Sequence, residues 1–479
     1  MLFNSLSFLI FLPTVFALYW LLGKGNRRLQ NALILLVSYV FYGWWDWRFL
    51  GLLFISSLSD FIIGIYLEKW TYSRSRKYLL GLSLGINLGL LGFFKYFNFF
   101  SAEFSKMLES IGMQASFTTL NIVLPVGISF YTFQTLSYSI DVYRRDMKAS
   151  KNPIDFFAFV SFFPQLVAGP IERAQKLLPQ LQHSRNFSYD QARSGMMLIL
   201  FGFYKKVVIA DNCAPIVKEI FANPNDVSGF ELIYGAILFA FQIYGDFSGY
   251  SDIAIGTGRL FGIELMINFK TPYFSRDIAE FWRRWHISLS TWFRDYVYIP
   301  LGGSRASQGK VIRNVFIIFL VSGFWHGANW TFVVWGGLNA LFFLPMLLRK
   351  KNRVNTDVVA ANSVLPSIKE VGQILFTFAL TTFAWIFFRA ESMTDALQYI
   401  SNIGSAHFIP LTFQYFNKFF VIIMPIWLFI DWKSRHNGFD YWVGSLSFKW
   451  YRYMIYIGIS LSIVWFGNFQ STEFIYFQF

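Results

Sequence analysis

Glu280-Phe-Trp-Arg-Arg-Trp-His286-Ile-Ser-Leu-Ser-Thr-Trp-Phe-Arg294-Asp295, with Gly323-Phe-Trp-His326-Gly-Ala-Asn329 at the end of the next apolar run, decides how this chain is read. The first stretch is too polar and too basic to face lipid. The second puts one ionisable ring at the end of a run of spanning character. An ionisable group at a bilayer centre costs roughly 3 kcal/mol and is kept there for function. The pair implies chemistry on a polar molecule at membrane depth.

Working outward, the surroundings are those of an integral membrane protein. The chain has 479 residues, 55% hydrophobic and 14% charged, with a mean hydropathy of +0.43. Apolar runs occur near 5–22, 29–47, 49–67, 78–99, 118–140, 196–221, 229–262, 311–325, 331–348, 366–389, 413–431 and 451–469. A bilayer core takes about 20 apolar residues per helix. The expectation is therefore an all-α, multi-pass protein of about 11 to 12 spans plus re-entrant segments. We read it as one membrane-embedded domain over 1–479, with core motifs at 118–345 and C-terminal spans at 366–479.

Basic clusters set the orientation. Lys24/Arg27/Arg28, Lys69/Arg74/Arg76/Lys77, Arg144/Arg145/Lys148/Lys151, Arg305/Lys310/Arg313, Arg349/Lys350/Lys351/Arg353 and Lys433/Arg435 follow alternate spans, as cytoplasmic loops should. Both termini are then expected outside the cytoplasmic (inner) membrane. The net charge of +14, from 41 basic and 27 acidic residues, is read first as those loops, with a basic surface for an anionic substrate as the alternative,. Nothing in it favours nucleic acid. Cys213 is the only cysteine, which excludes an intramolecular disulfide and makes a thiol nucleophile improbable,.

Two segments are not simple spans. In 155–195, Pro164, Gly169 and Pro170 break any helix. Segment 270–304 is too polar to span against lipid. Broken backbone at membrane depth survives only inside protein or along a cavity, so both are expected to dip inward from the cytoplasmic side. The polar stretch 351–365 is expected to be a flexible loop.

Of His183, His286, His326, His407 and His436, His326 is the best catalytic candidate. Its neighbours offer no second ionisable group, and a neutral imidazole can take a proton from a hydroxyl. Gly323 and Gly327 would let substrate or another helix come close. The competing reading is a histidine that packs helices. His286 sits among Arg283, Arg284 and Arg294, which either grip phosphates of a donor or snorkel to headgroups. Gln242, Asp246, Ser248, Tyr250 and Asp252 form a polar cluster inside an apolar helix, lining a wet cavity or pairing with cations. Gln134 lies on a second polar stripe, tunnel lining or helix glue. Asn329 follows His326 and joins the cavity-lining set. No His/Asp/Glu cluster has metal-ligand spacing, and no G-x-S-x-G elbow, P-loop or dinucleotide fingerprint is present.

These clusters together resemble the membrane-bound O-acyltransferase family, in particular its bacterial polysaccharide-acetylating branch. The motifs are LPVGISFYTFQTLSYSIDVYRRD (124–146), FFPQLVAGPI (162–171), GDFSGYSDIAIGTGRLFGI (245–263), FWRRWHISLSTWFRDYVYIPLGG (281–303) and SGFWHGANWTFVVWGGLNAL (322–341). The resemblance implies a ring of tilted helices around a cavity open to both membrane faces. It implies that His326 is the family's catalytic histidine and His286 its second one. It implies no bound cofactor and a cytoplasmic acyl thioester as donor, most plausibly acetyl-CoA. The acetyl group would pass to hydroxyls of a cell-surface polysaccharide, with an exported or periplasmic acetyltransferase as partner. Phe474-Ile475-Tyr476-Phe477 matches an ending found in some such systems, in which Tyr476 would carry the acyl group. The plain alternative for Tyr476 is an interfacial anchor. The related teichoic-acid branch keeps D-alanyl transfer from a carrier-protein thioester open, and alginate, other exopolysaccharides, peptidoglycan and secondary wall polymers all remain as acceptors. The rival from another class is a transporter for a polar lipid or glycan, which would not need His326.

Overall fold

The computed structural model describes residues 1–113, 120, 122–404, 408–409, 415, 418–470 and 474–475. Tyr476 and His407 lie outside the described residues. Those described are helical or loop, with no strand among them. Helices stand at most of the apolar runs, from Leu6–Leu22 and Arg27–Asp46 through Gly229–Leu260 to Lys449–Phe466, but the described residues of the run near 118–140 become helical only from Ile128, in Ile128–Arg144. Five helical stretches among them are long and apolar enough to cross a membrane: Arg27–Lys69, Ser73–Ser110, Gly229–Leu260, Trp330–Leu348 and Ile368–Arg389.

The chain gathers into two compact units, residues 1–192 with 258–266 and residues 193–257 with 267–479. In the first, Asp60 is fully buried and holds neighbouring helices together. It accepts from Asn87 Nδ2 at 2.6 Å and Ser139 Oγ at 2.7 Å. Gln134 belongs to this unit and donates to the Phe159 carbonyl at 2.7 Å. The proline-broken segment forms the short helices Pro153–Ser161, Phe163–Leu166 and Ala174–Leu181. Residues 155–174 are all buried, which is how protein rather than lipid satisfies an interrupted backbone,.

In the second unit, the helices Gln308–His326 and Trp330–Leu348 pack as a tight antiparallel pair. A Cβ on Gly323 would stand 2.2 Å from the Phe332 carbonyl oxygen, and one on Gly336 2.3 Å from that of Phe319. Small residues at such a crossing let two backbones touch where lipid offers no hydrophobic drive to association. The glycines flanking His326 therefore admit a helix, not a substrate. Gly323→Val should leave full-length protein that fails to accumulate in membranes, read by quantitative blotting against wild type.

The 351–365 stretch departs from expectation. Arginines pin it through its carbonyls: Arg283 to Asn352 and Asn355, Arg276 to Asp357, and Arg435 to Val359 and Ala360. All three come from distant sequence, so its polarity, which suggests mobility, does not reveal them.

Candidate active site

His326 closes the helix Gln308–His326, and Asn329 starts the next. Asn329 Oδ1 accepts from the Thr331 amide at 3.1 Å and its Nδ2 donates to the Glu391 carbonyl at 2.7 Å. That cap, an interaction of about 1 kcal/mol, fixes the turn just after the histidine. The His326 ring is buried, with Trp325, Trp335 and Phe388 ring centroids at 5.0, 5.2 and 5.3 Å. The His286 ring lies 6.4 Å away.

His286 sits between the short helices Ile278–Arg284 and Ile287–Phe293. Its backbone is left-handed, φ 43° and ψ 54°, a strained region for a residue with a side chain,. Asn268 holds this turn. Its carbonyl accepts from the Ile287 amide at 2.9 Å, and its Oδ1 accepts from Ser288 Oγ at 2.9 Å and the Ser288 amide at 3.4 Å. An amide N–H can only donate, so the oxygen of the Asn268 side chain is the atom facing this turn. The same Oδ1 is 3.0 Å from His286 Nδ1. Nδ1 must then carry the proton, which makes Nε2 the basic nitrogen. Burial pushes the His286 pKa down to about 3, so the ring is neutral,. Sequence reading does not single out Asn268; an isolated amide between Ile267 and Phe269 is the available signal.

The polar cluster of Gly229–Leu260 meets two successive lysines on the π-helical segment Tyr204–Ala210. Lys206 lies 2.8 Å from both Asp246 and Asp211, and Lys205 lies 2.6 Å from Asp252. Breaking such a buried pair by removing one partner costs about 3–5 kcal/mol. Asp246 also accepts from the Ile475 amide at 2.7 Å. Phe474 packs on Tyr250 and Phe247 at 4.8 and 5.8 Å, and Phe247 stands edge-on to His286 at 4.6 Å. The described end of the tail is thus seated in the protein, one ring away from a histidine. Ser248 is fully buried and Gln242 partly so.

A cavity of about 710 Å³ opens beside this site. Leu289, Phe293, Val315 and Phe319 are apolar lining, and Arg294, Lys350 and Arg353 supply positive charge. Ser322, one helical turn before His326, also lines it,. It stops short of the histidines: Trp282 lines it, and the Trp282 ring meets Trp335, which meets His326. Of the three arginines in this stretch, Arg294 lines the chamber while paired with its neighbour Asp295 at 2.7 Å. Arg283 grips loop carbonyls, and Arg284 is paired with Glu280 at 2.8 Å.

Comparison with known proteins gives the family. A profile of the membrane-bound O-acyltransferase family matches residues 148–353, which hold both site histidines. A probable alginate O-acetylase, AlgI, of Pseudomonas aeruginosa is 43% identical over 398 residues, 83% of this chain and 73% of that protein. The chain belongs to the membrane-bound O-acyltransferase family. It is an enzyme, a multi-pass membrane-bound O-acyltransferase. A peptidoglycan O-acetyltransferase of Helicobacter pylori is 35% identical over 84% of this chain and 80% of its own length. A teichoic acid D-alanyltransferase of Streptococcus thermophilus is 31% identical over 48% of this chain and 59% of its own.

Proposed function

We propose that this acyltransferase moves acetyl groups from a cytoplasmic thioester, acetyl-CoA, to hydroxyls of a cell-surface polysaccharide, with an exported transferase completing delivery. The observation that carries the reading is the pair of buried histidines 6.4 Å apart, one helical turn from a chamber that combines an apolar wall with cations. The names of the most extensively matched relatives support acetyl as the acyl group. A transporter reading leaves this histidine pair without a task.

In the proposed step, His326 takes the proton of an acceptor hydroxyl as its oxygen attacks the thioester carbonyl. The tetrahedral intermediate collapses, the C–S bond breaks, and the thiolate leaves with that proton as free CoA. His286, neutral and with its Nδ1–H held by Asn268, would offer Nε2 as a hydrogen-bond acceptor that orients the attacking hydroxyl,. Tyr476 is the proposed first acceptor, and docking of its neighbour Ile475 on Asp246 supports it. Purified protein should consume acetyl-CoA and release CoA thiol, measured with a thiol reagent. A protein with no such turnover, alone or with tail and polysaccharide supplied, would discard the reading.

Two further outcomes follow. Arg294→Gln should raise the apparent KM for acetyl-CoA several-fold, more at low salt, because the charge steers a phosphate-bearing donor. A KM insensitive to Arg294 at all ionic strengths assigns it to headgroups. Asn268→Ala should lower kcat by about ten- to hundredfold, the range for leaving one buried hydrogen-bonding partner unmatched. Asn268→Asp, which keeps an acceptor facing Nδ1, should restore part of the rate and shift the pH profile. Equal rates in both variants would make Asn268 merely structural.

A further inference from the structure

A second cavity, about 990 Å³, opens between the membrane-length helices Trp330–Leu348 and Ile368–Arg389. Leu341, Phe342, Pro345, Phe376 and Leu380 form its apolar wall. Leu341 and Phe376 are 51% and 66% exposed, as expected of a groove that opens on hydrocarbon rather than on a protein core. Arg349, Lys351 and Lys369 line the cavity where these helices run into the loop that joins them.

The carboxylates lining the same cavity are committed elsewhere. Asp277 caps the helix Ile278–Arg284 and accepts from Asn355 Nδ2 at 2.7 Å. Glu370 forms the capping box of its own helix with Ser367 and pairs with Arg276 at 3.4 Å. Among the described residues, no ion pair joins Arg349, Lys351 or Lys369. Three cations above an apolar groove between two spans match a phosphate headgroup with an acyl chain below it. Basic pockets of this kind between membrane helices recognise anionic lipid. We infer that an anionic phospholipid binds here, its phosphate among Arg349, Lys351 and Lys369 and a chain along Phe376 and Leu341.

The site has a second face. Lys351, Val354 and Asn355 line the groove, while Lys350, Asn352 and Arg353 line the chamber beside His326. One short stretch of chain, held by Arg283, is the wall between them. A bound lipid therefore braces the cationic mouth of the chamber. This second claim rests on the donor reading above; binding of the lipid does not.

The full chain, purified in detergent and titrated with phosphatidylglycerol or phosphatidylcholine, can be read by native mass spectrometry. Wild type should retain phosphatidylglycerol in strong preference. The triple variant Arg349→Gln, Lys351→Gln, Lys369→Gln should bind it about hundredfold more weakly, each cation near a phosphate being worth about fivefold. Arg74→Gln with Lys77→Gln, exposed basic positions in the other unit, should change nothing. A triple variant that keeps the preference overturns the site, and so does an equal loss in the Arg74/Lys77 control. Displacement of the lipid by millimolar inorganic phosphate or acetyl-CoA overturns the choice of lipid as occupant. In nanodiscs, phosphatidylglycerol should lower the wild-type KM for acetyl-CoA and leave the triple variant unmoved. A wild-type KM indifferent to it removes the bracing role.

Discussion

His326→Ala should abolish acetyl transfer while leaving protein that still folds and inserts. Removing a general base costs about 10²–10⁴-fold in rate, and the nearby imidazole of His286, 6.4 Å away, is no substitute because burial pushes its pKa down to about 3. The ring is buried against Trp325, Trp335 and Phe388, so truncation also opens a small cavity. His326→Gln separates these effects, because it refills most of the space without a titratable nitrogen of suitable pKa. Both variants should lose turnover alike, measured as CoA release by purified protein, with unchanged size-exclusion profiles. Substantial turnover in the glutamine variant would sink the assignment of His326 as the base.

Tyr476→Phe should stop polysaccharide acetylation in cells at unchanged protein level. The substitution keeps the ring and removes only the nucleophile, so it tests chemistry and not packing. The tail has the means to be held in place: the Ile475 amide is on buried Asp246, Phe474 is on Tyr250, and Asn468 donates to the carbonyls of Val207 and Asp211. A tethered phenol that reaches His326 would be acylated with loss of its proton to the imidazole, then give the acetyl group to a sugar hydroxyl. Ester content of the isolated polysaccharide is the readout. Normal acetylation in the mutant would reduce Tyr476 to an anchor and require direct transfer from donor to acceptor.

Much of the fold was legible because the bilayer imposes length and apolarity on every span, and both are one-dimensional properties. The runs at 229–262, 331–348 and 366–389 reappear as helices within a few residues. The proline break at 164–170 was legible for the same reason, since proline removes a backbone donor whatever surrounds it. The five motifs between 124 and 341, those around His286 and His326 among them, carried the family resemblance.

What each polar residue touches depends on the folded chain. Asp246 and Asp252 looked like cavity lining or ion pairs, and Lys205 and Lys206, some forty residues earlier, make them ion pairs. Arg283 and Arg284 stand in the same stretch as Arg294, yet Arg294 alone of the three lines the chamber. Asn268 gains its meaning from a left-handed turn eighteen residues away. Hydrophobic spacing is set by the solvent that a segment meets, so most helices, their interruptions and the candidate histidines could be read from residue order alone. Hydrogen bonds and ion pairs are set by partners remote in the chain, so only folding could assign the base-bearing nitrogen of His286, the anchor of the tail and the cations of the chamber.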